Sequence, residues 1–318
     1  MTRSMMSQAA PPTELRNPRT ADIDTLESGD VLRLLLEEDA RAVEAARAAT
    51  GPLALAVDAA HRRLAAGGRV HYFGAGASGR LAVLDATEIT PTFGVARELF
   101  TSHFAGGAAA LTDSSIDRED AESLGEADAQ ALGPGDVAVG ITASGSTRYV
   151  AGALRAAGAG GALTVLITCN PDAPLRDLAE ILVVADTGPE ALTGSTRLKA
   201  GTATKVMLNA FSTALMIKAG RTYGNLMVGL VATNAKLAER AVSLLMEATG
   251  AGAEACRSAL AEADGAIPEA LVRLLTGCSA TEARAALGAH QGVRAAVAAL
   301  SHPAERRRSH PAERGRAR

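Results

Sequence analysis

The chain has 318 residues, 47% of them hydrophobic but only 3% aromatic, with no Trp and a formal net charge of −3. That length holds a full core and roughly two domains, built mainly from Ala, Val and Leu, and the charge balance gives no reason to expect a nucleic-acid partner. Cys169, Cys256 and Cys278 are odd in number and far apart, which argues against a disulfide framework or a zinc site. No stretch is apolar for long enough to span a bilayer, and the start of the chain lacks the apolar region of a leader, so a cytoplasmic protein without a membrane partner is expected.

Residues 1–12 are polar, end in Pro11 and Pro12, and read as a disordered N-terminus. Thr13 to Leu26, TELRNPRTADIDTL, reads as an extended arm punctuated by Pro18. Ser28 or Asp30 is placed to cap a helix running from about Val31 to Ala48, and Glu37, Glu38 and Asp39 read as its solvated side. A second helix, Pro52 to Leu64, completes an N-terminal region of 13–60.

From there the chain alternates. Apolar runs of strand length occur at Val70–Phe73, Leu99–Phe104, Val137–Thr142, Leu163–Thr168 and Ile181–Ala185, with helical or polar segments between them. This pattern predicts an α/β fold with a five-stranded parallel sheet covered by helices on both faces. Ligands of such sheets bind beyond the carboxyl ends of the strands, so the residues after each strand are the informative ones. The first strand runs into Gly74-Ala-Gly76-Ala-Ser78-Gly79, and the third into Ala143-Ser144-Gly145-Ser146-Thr147. Backbone N–H groups and hydroxyls of two such turns, aided by a helix N-terminus, suit a phosphate held from two sides. The glycine spacing also matches a dinucleotide fingerprint, but Glu98 precedes the second strand instead of ending it, which ranks a nicotinamide cofactor below a phosphate.

Helix α-type periodicity after Arg80 carries Glu88 into its last part, on the unfavourable end of the dipole. Between the second and third strands, Ser114 with Asp117 fits a capping box, and the helix it would open carries Glu119 and Asp120. Further on, TGSTRLKAGTA from Thr193 begins a long helix, capped by Thr193 or Ser195, whose start carries Arg197, Lys199 and Lys205. Positive charge there opposes the dipole and makes sense beside a bound anion, with snorkelling surface residues as the alternative. After Leu300, SHPAERRR is followed by SHPAERGR, and residues 298–318 read as a disordered, Arg-rich tail.

TELRNP and IDTL, GAGASGRLAVLDATEITPTFG, ASGSTRYV, TCNP, TGSTRLKAGTATK, YGNLMV and ATNAKLAERA, taken together, resemble the N-acetylmuramic acid 6-phosphate etherases over about Thr13 to Val297. The resemblance implies a sugar isomerase (SIS) domain, here 61–220, followed by a small all-helical domain at 221–297 that is ubiquitin-associated-like from about Met246. It also implies a homodimer with residues of both subunits near each site, and a phosphosugar substrate. The implied reaction removes the D-lactyl ether from C3 of the open-chain sugar by elimination and then addition of water, with no metal or redox cofactor. The family's two catalytic glutamates map onto Glu88, the proton donor to the departing lactate, and Glu119, the base at C2. The substrate- and phosphate-binding set is Gly76, Ser78, Gly79, Ser144, Gly145, Ser146, Thr147 and Lys199. Ser146 and Arg148 stand where the family usually has Arg and Pro, and Ile89 and Thr90 where it usually has Cys and Pro; Arg148 is placed to supply the missing guanidinium. A phosphosugar sensor of the same fold and an aldose-ketose phosphosugar isomerase are the rival functions, and the retention of both glutamates favours the etherase.

Overall fold

The computed structural model describes residues 10–230 and 235–301. Residues 1–9, 302–318 and 231–234 of the ATNAKLAERA stretch lie outside the described residues; of the two segments expected to be disordered, 1–12 and 298–318, the described parts include Pro12 in a 3-10 turn and 298–301 in a helix. Two compact units divide the chain, one of Met1–Glu88 with Arg97–Leu215, the other of Ile89–Ala96 with Met216–Arg318.

In the first unit, strands β1 (Val70–Gly74), β2 (Phe100–Phe104), β3 (Val137–Thr142), β4 (Leu163–Thr168) and β5 (Ile181–Val184) form one sheet in the order β2-β1-β3-β4-β5, every pair parallel. β3 and β4 are buried at every position, which is why their sequences are nearly continuous runs of apolar residues, glycine and threonine instead of alternating ones. The helices of this unit are α1 (Ser28–Ala48), α2 (Thr50–Ala65), α3 (Gly76–Phe93, whose last turns belong to the second unit), α4 (Gly107–Thr112), α5 (Glu122–Ala129), α6 (Arg148–Ala159) and α7 (Lys199–Lys218, likewise ending in the second unit). Small side chains dominate the core: Phe73 and Tyr149 are embedded among Ala138, Ala153, Leu154 and Leu166. The chain with few aromatics thus fills its interior by close helix-on-sheet packing.

Three local expectations give way to side-chain chemistry. The arm before α1 is a series of 3-10 turns, Pro12–Glu14, Pro18–Thr20 and Ile23–Thr25, in place of a fully extended segment. Pro18 sits at the first position of its turn, and the Asn17 side chain accepts the Arg19 N–H at 3.0 Å. Ser114 opens no helix. Asp113 accepts both the N–H and the hydroxyl of Ser115, Asp117 accepts the Glu119 N–H at 3.0 Å, and these local turns postpone α5 to Glu122. Glu119 and Asp120 therefore lie in a turn before a helix, not on one. Finally, α7 begins at Lys199 and not at Thr193 or Ser195, because the buried Glu190 carboxylate accepts the N–H groups of Lys199 and Ala200, each at 2.9 Å. Burial pushes the Glu190 carboxyl upward, against those two hydrogen bonds.

The second unit contains the hairpin β6 (Thr222–Tyr223) and β7 (Leu226–Met227) and helices α8 (Ala235–Thr249), α9 (Ala253–Glu262), α10 (Ile267–Thr276), α11 (Ala280–Ala289) and α12 (Gly292–Ser301). Its separate core is built on Leu245, Cys256, Ile267, Leu271 and Val293. Ser279 and Glu282 form the capping box that starts α11. Among the described residues no helix is long and apolar enough to cross a membrane.

Candidate functional site

Strand order 2-1-3-4-5 reverses direction between β1 and β3, and an open α/β sheet binds its ligand outside the carboxyl ends of the strands at that switch point. Gly74 is in register with Ile141, so the two glycine- and serine-bearing turns leave the sheet side by side. Close packing explains part of the first turn's composition. A Cβ on Gly79 would lie 2.6 Å from the Gly74 carbonyl oxygen, so the first turn of α3 can approach the end of β1 only with hydrogen there. Gly76 carries a φ of +53°. Ser78 is half-buried in the first turn of α3.

The second turn is held from outside. The Asn170 amide donates to the Ser144 carbonyl at 2.8 Å, and the Leu175 N–H donates to the Gly145 carbonyl at 3.0 Å. Gly145 has a φ of +72° and a Cβ there would fall 2.4 Å from that of Ala173. Within the turn the hydroxyls form a string: Thr142 to Thr147 and Ser144 to Ser146, each 2.8 Å apart, with the Ser146 N–H on the Ser144 hydroxyl at 3.2 Å. These hydroxyls are donors that rotate freely, and no carboxylate interrupts them. Arg148 does not supply a guanidinium to this turn. It is exposed and its Nη2 donates to Glu122 at 3.2 Å, on α5.

Glu119 is brought to the β1 turn through its backbone. Its carbonyl accepts the Tyr149 N–H at 2.8 Å, which seats the 113–121 segment on the start of α6. A cavity of about 160 Å³ is lined by Gly76, Arg80, Phe104, Ser114 and Glu119 among others, while Asp120 is not on its wall. Burial, then the neighbouring Asp117 and Asp120 carboxylates, push the Glu119 carboxyl above its ordinary value, although the residue stays open to solvent. Arg80 forms the far wall. Its guanidinium donates to the carbonyls of Leu111 (2.8 Å) and Ala110 (3.2 Å) and lies 5.3 Å from the centre of the Phe104 ring. Arg80 was not singled out from the sequence; the signal was there, since a cation in the first turn of a helix opposes its dipole.

Two expected site residues lie elsewhere. Glu88 is exposed on α3, twelve residues beyond Gly76, or about 18 Å along the helix at 1.5 Å per residue. Lys199 is 1% exposed and its Nζ is 2.7 Å from Oε2 of Glu38, itself 1% exposed. Glu38, expected on a solvated face, also receives Arg19 at 2.6 and 2.9 Å and the Asn17 amide at 2.9 Å. Burial alone would raise the Glu38 carboxyl, and the hydrogen bonds from Arg19, Lys199 and Asn17 outweigh it and hold it at about 2. Lys199 thus locks α7 to α1 and, through Glu38, to the TELRNP arm.

A second pair that sequence reading passed over is His71 on β1 and His103 on β2, whose ring nitrogens Nδ1 and Nε2 are 3.0 Å apart, with His103 stacked on Phe73. Burial lowers both, His71 to about 4 with help from His103. Among the described residues no group of three or more His, Cys, Asp or Glu is arranged to hold a metal ion.

The SIS-domain family model matches residues 112–214, and the model of the glucokinase regulatory protein N-terminal SIS domain matches 53–158. Among solved structures, a phosphoheptose isomerase from Francisella tularensis is similar at a TM-score of 0.47 and 17% identity, over 60% of this chain and 100% of that one. An N-acetylmuramic acid 6-phosphate etherase of Thermobifida fusca (strain YX) is 52% identical over 83% of this chain and 87% of its own length. One of Salmonella agona (strain SL483) is 47% identical over 90% of this chain and 97% of its own. At these identities over most of both chains, the chain belongs to the N-acetylmuramic acid 6-phosphate etherase family.

Proposed function

We infer that this protein cleaves the D-lactyl ether of N-acetylmuramic acid 6-phosphate, giving N-acetylglucosamine 6-phosphate and D-lactate in amino sugar recycling. The observation that carries the reading is the shared cavity of Glu119 and the β1 turn at the switch point of the sheet. A phosphate held by the hydroxyls and backbone of the turns would direct the reacting carbons toward a carboxylate whose raised pKa strengthens it as a base.

The C1 aldehyde of the open-chain sugar acidifies the C2 proton. Glu119 removes it, the electron pair forms the C2–C3 double bond, the C3–O bond breaks, and Glu88 gives its proton to the lactate oxygen. Water then adds at C3 with Glu88 as the base, and the proton on Glu119 returns to C2. Glu88 lies too far along α3 for its side chain to come within hydrogen-bond reach of a sugar at the β1 turn of the same chain. The cavity itself, about 160 Å³, is smaller than the 300–1,000 Å³ usual for a whole small ligand. Both observations favour a homodimer in which a second copy completes the site, and the reading places that dimer in the cytoplasm. Ser78, Ser144, Ser146 and Thr147, with the backbone of Gly76, Gly79 and Gly145, hold the phosphate in this reading. Lys199 supports the loop before α7 and does not touch the phosphate.

Release of D-lactate from N-acetylmuramic acid 6-phosphate tests the activity. Glu88→Ala should stop ether cleavage yet still exchange the C2 hydrogen of N-acetylglucosamine 6-phosphate with D₂O, and Glu119→Ala should lose both, each by about 10² to 10⁴ in rate. Asp120→Ala exchanging poorly while Glu119→Ala exchanges well would move the base by one residue, and lactate release by Glu88→Ala at the parent rate would overturn the scheme.

A further inference from the structure

A second and larger cavity, of about 570 Å³, lies along α3 and the start of α7, outside every residue assigned above to phosphate or to proton transfer. Its wall has two characters. Ala77 and Leu81 form an apolar side, whereas Arg80, Arg197 and Lys205 supply donors, and no carboxylate lines it. Arg197 is exposed and has no partner among the described residues. Behind the wall, Asp39 accepts the Thr202 hydroxyl at 3.2 Å, and Asp85, which interacts electrostatically with Lys205, accepts the hydroxyls of Tyr72 and Ser212. Lys205 Nζ reaches the Asn209 amide oxygen at 3.1 Å in the amide orientation that also lets Asn209 donate to Asp85. An excess of cations in a cavity of ligand size calls for an anion.

The substrate carries two anionic groups. The phosphate is matched by the serine turns, whose donors are neutral hydroxyls and backbone N–H groups. The other is the lactyl carboxylate, which comes with a methyl group on the same carbon. An apolar wall facing cations is complementary to that methyl and carboxylate together. The position fits the chemistry as well. Asp85, whose buried carboxyl interacts electrostatically with Lys205, and the exposed Glu88 are three residues apart on α3, within one turn of each other. Ala77, Leu81 and Glu88 also share one face of α3, at seven- and eleven-residue spacings.

We propose that the cavity between α3 and the start of α7 is the lactyl subsite, in which Arg197 and Lys205 bind the substrate carboxylate and Ala77 and Leu81 receive its methyl group. This rests on the etherase reading and adds to it the means by which the muramic substrate is told from its product, which lacks the lactyl group.

The test compares two reactions of the full-length protein: D-lactate release from N-acetylmuramic acid 6-phosphate, and C2 hydrogen exchange of N-acetylglucosamine 6-phosphate in D₂O. Arg197→Met and Lys205→Met should each raise the ratio of the first KM to the second by about tenfold, the usual worth of a hydrogen bond to a charged group. Arg197→Lys should recover part of that ratio. A ratio unchanged in the Arg197→Met, Lys205→Met double variant overturns the proposal, and so does a parallel rise of both KM values, which would put the phosphate in this cavity. A parent protein that releases no lactate overturns the etherase reading and the subsite together, whereas an active parent with an insensitive double variant sinks the subsite alone.

Discussion

Replacing Lys199 by Met separates a structural lysine from a phosphate-binding one. In the fold Lys199 and Glu38 are each 1% exposed and share a 2.7 Å hydrogen bond. The Glu38 carboxyl, displaced from 4.5 to about 2, contributes about 3 kcal/mol through that displacement at 1.36 kcal/mol per unit. An independent figure agrees, since removing one partner of a buried pair costs about 3–5 kcal/mol. Lys199→Met leaves Glu38 with Arg19 and Asn17, so the lower end applies; Glu38→Gln leaves the ammonium without its counter-charge and should cost more. For a unit of this size about 3 kcal/mol lowers Tm by roughly 6–12 °C, readily seen by thermal or urea unfolding. The double variant should lose less than the sum of the two singles. Because the Glu38 pKa is depressed in the fold, its contribution is present above about pH 4.5 and is lost as pH falls toward 2. A Lys199→Met protein that melts with the parent but has a raised KM would refute this reasoning and return the lysine to the phosphate.

Ser78→Ala and Ser144→Ala should raise KM more than they lower kcat, because the phosphate is remote from C2 and C3 and is bound alike in ground and transition states; steady-state kinetics showing unchanged KM in both would count against the two turns as the phosphate site. The His71–His103 pair predicts an acid-side loss of stability. Both pKa values are lowered by burial, so the unfolded chain binds more protons, and stability complete above about pH 6.5 declines as pH falls toward about 4. A His71→Phe, His103→Phe variant should flatten that part of the Tm–pH curve, and an unaltered slope would mean that other groups set it.

The strands were legible in the sequence because they are short, largely apolar runs bounded by glycine or polar residues, most fully so in β3 and β4, which are buried at every position. The edge strand β2 carries Thr101, Ser102 and His103 between its two buried phenylalanines. Val137–Thr142 and Leu163–Thr168 agree with the structure to the residue, and the other three to within one. The turns after β1 and β3 were legible for a related reason: Gly76 and Gly145 adopt positive φ, a local demand that names its own residue type. Helix starts were read less well where side chains competed for the backbone. Asp113 and Asp117 hold a turn where Ser114 suggested a cap, and the start of α7 is decided by Glu190, a residue nine positions earlier.

What the sequence determined by itself is therefore the set of five strands, their parallel arrangement and the two turns at the switch point, since each follows from periodicity and local conformation. Which charges face solvent and which face one another was decided only by the tertiary structure. Glu38 and Lys199 are separated by 161 residues, and Glu119 shares a cavity with the β1 turn while its carbonyl accepts the N–H of the distant Tyr149. A lone carboxylate on a helix reads as solvated whether or not a distant lysine folds onto it. The free energy that buries it comes from a partner whose position no local pattern encodes.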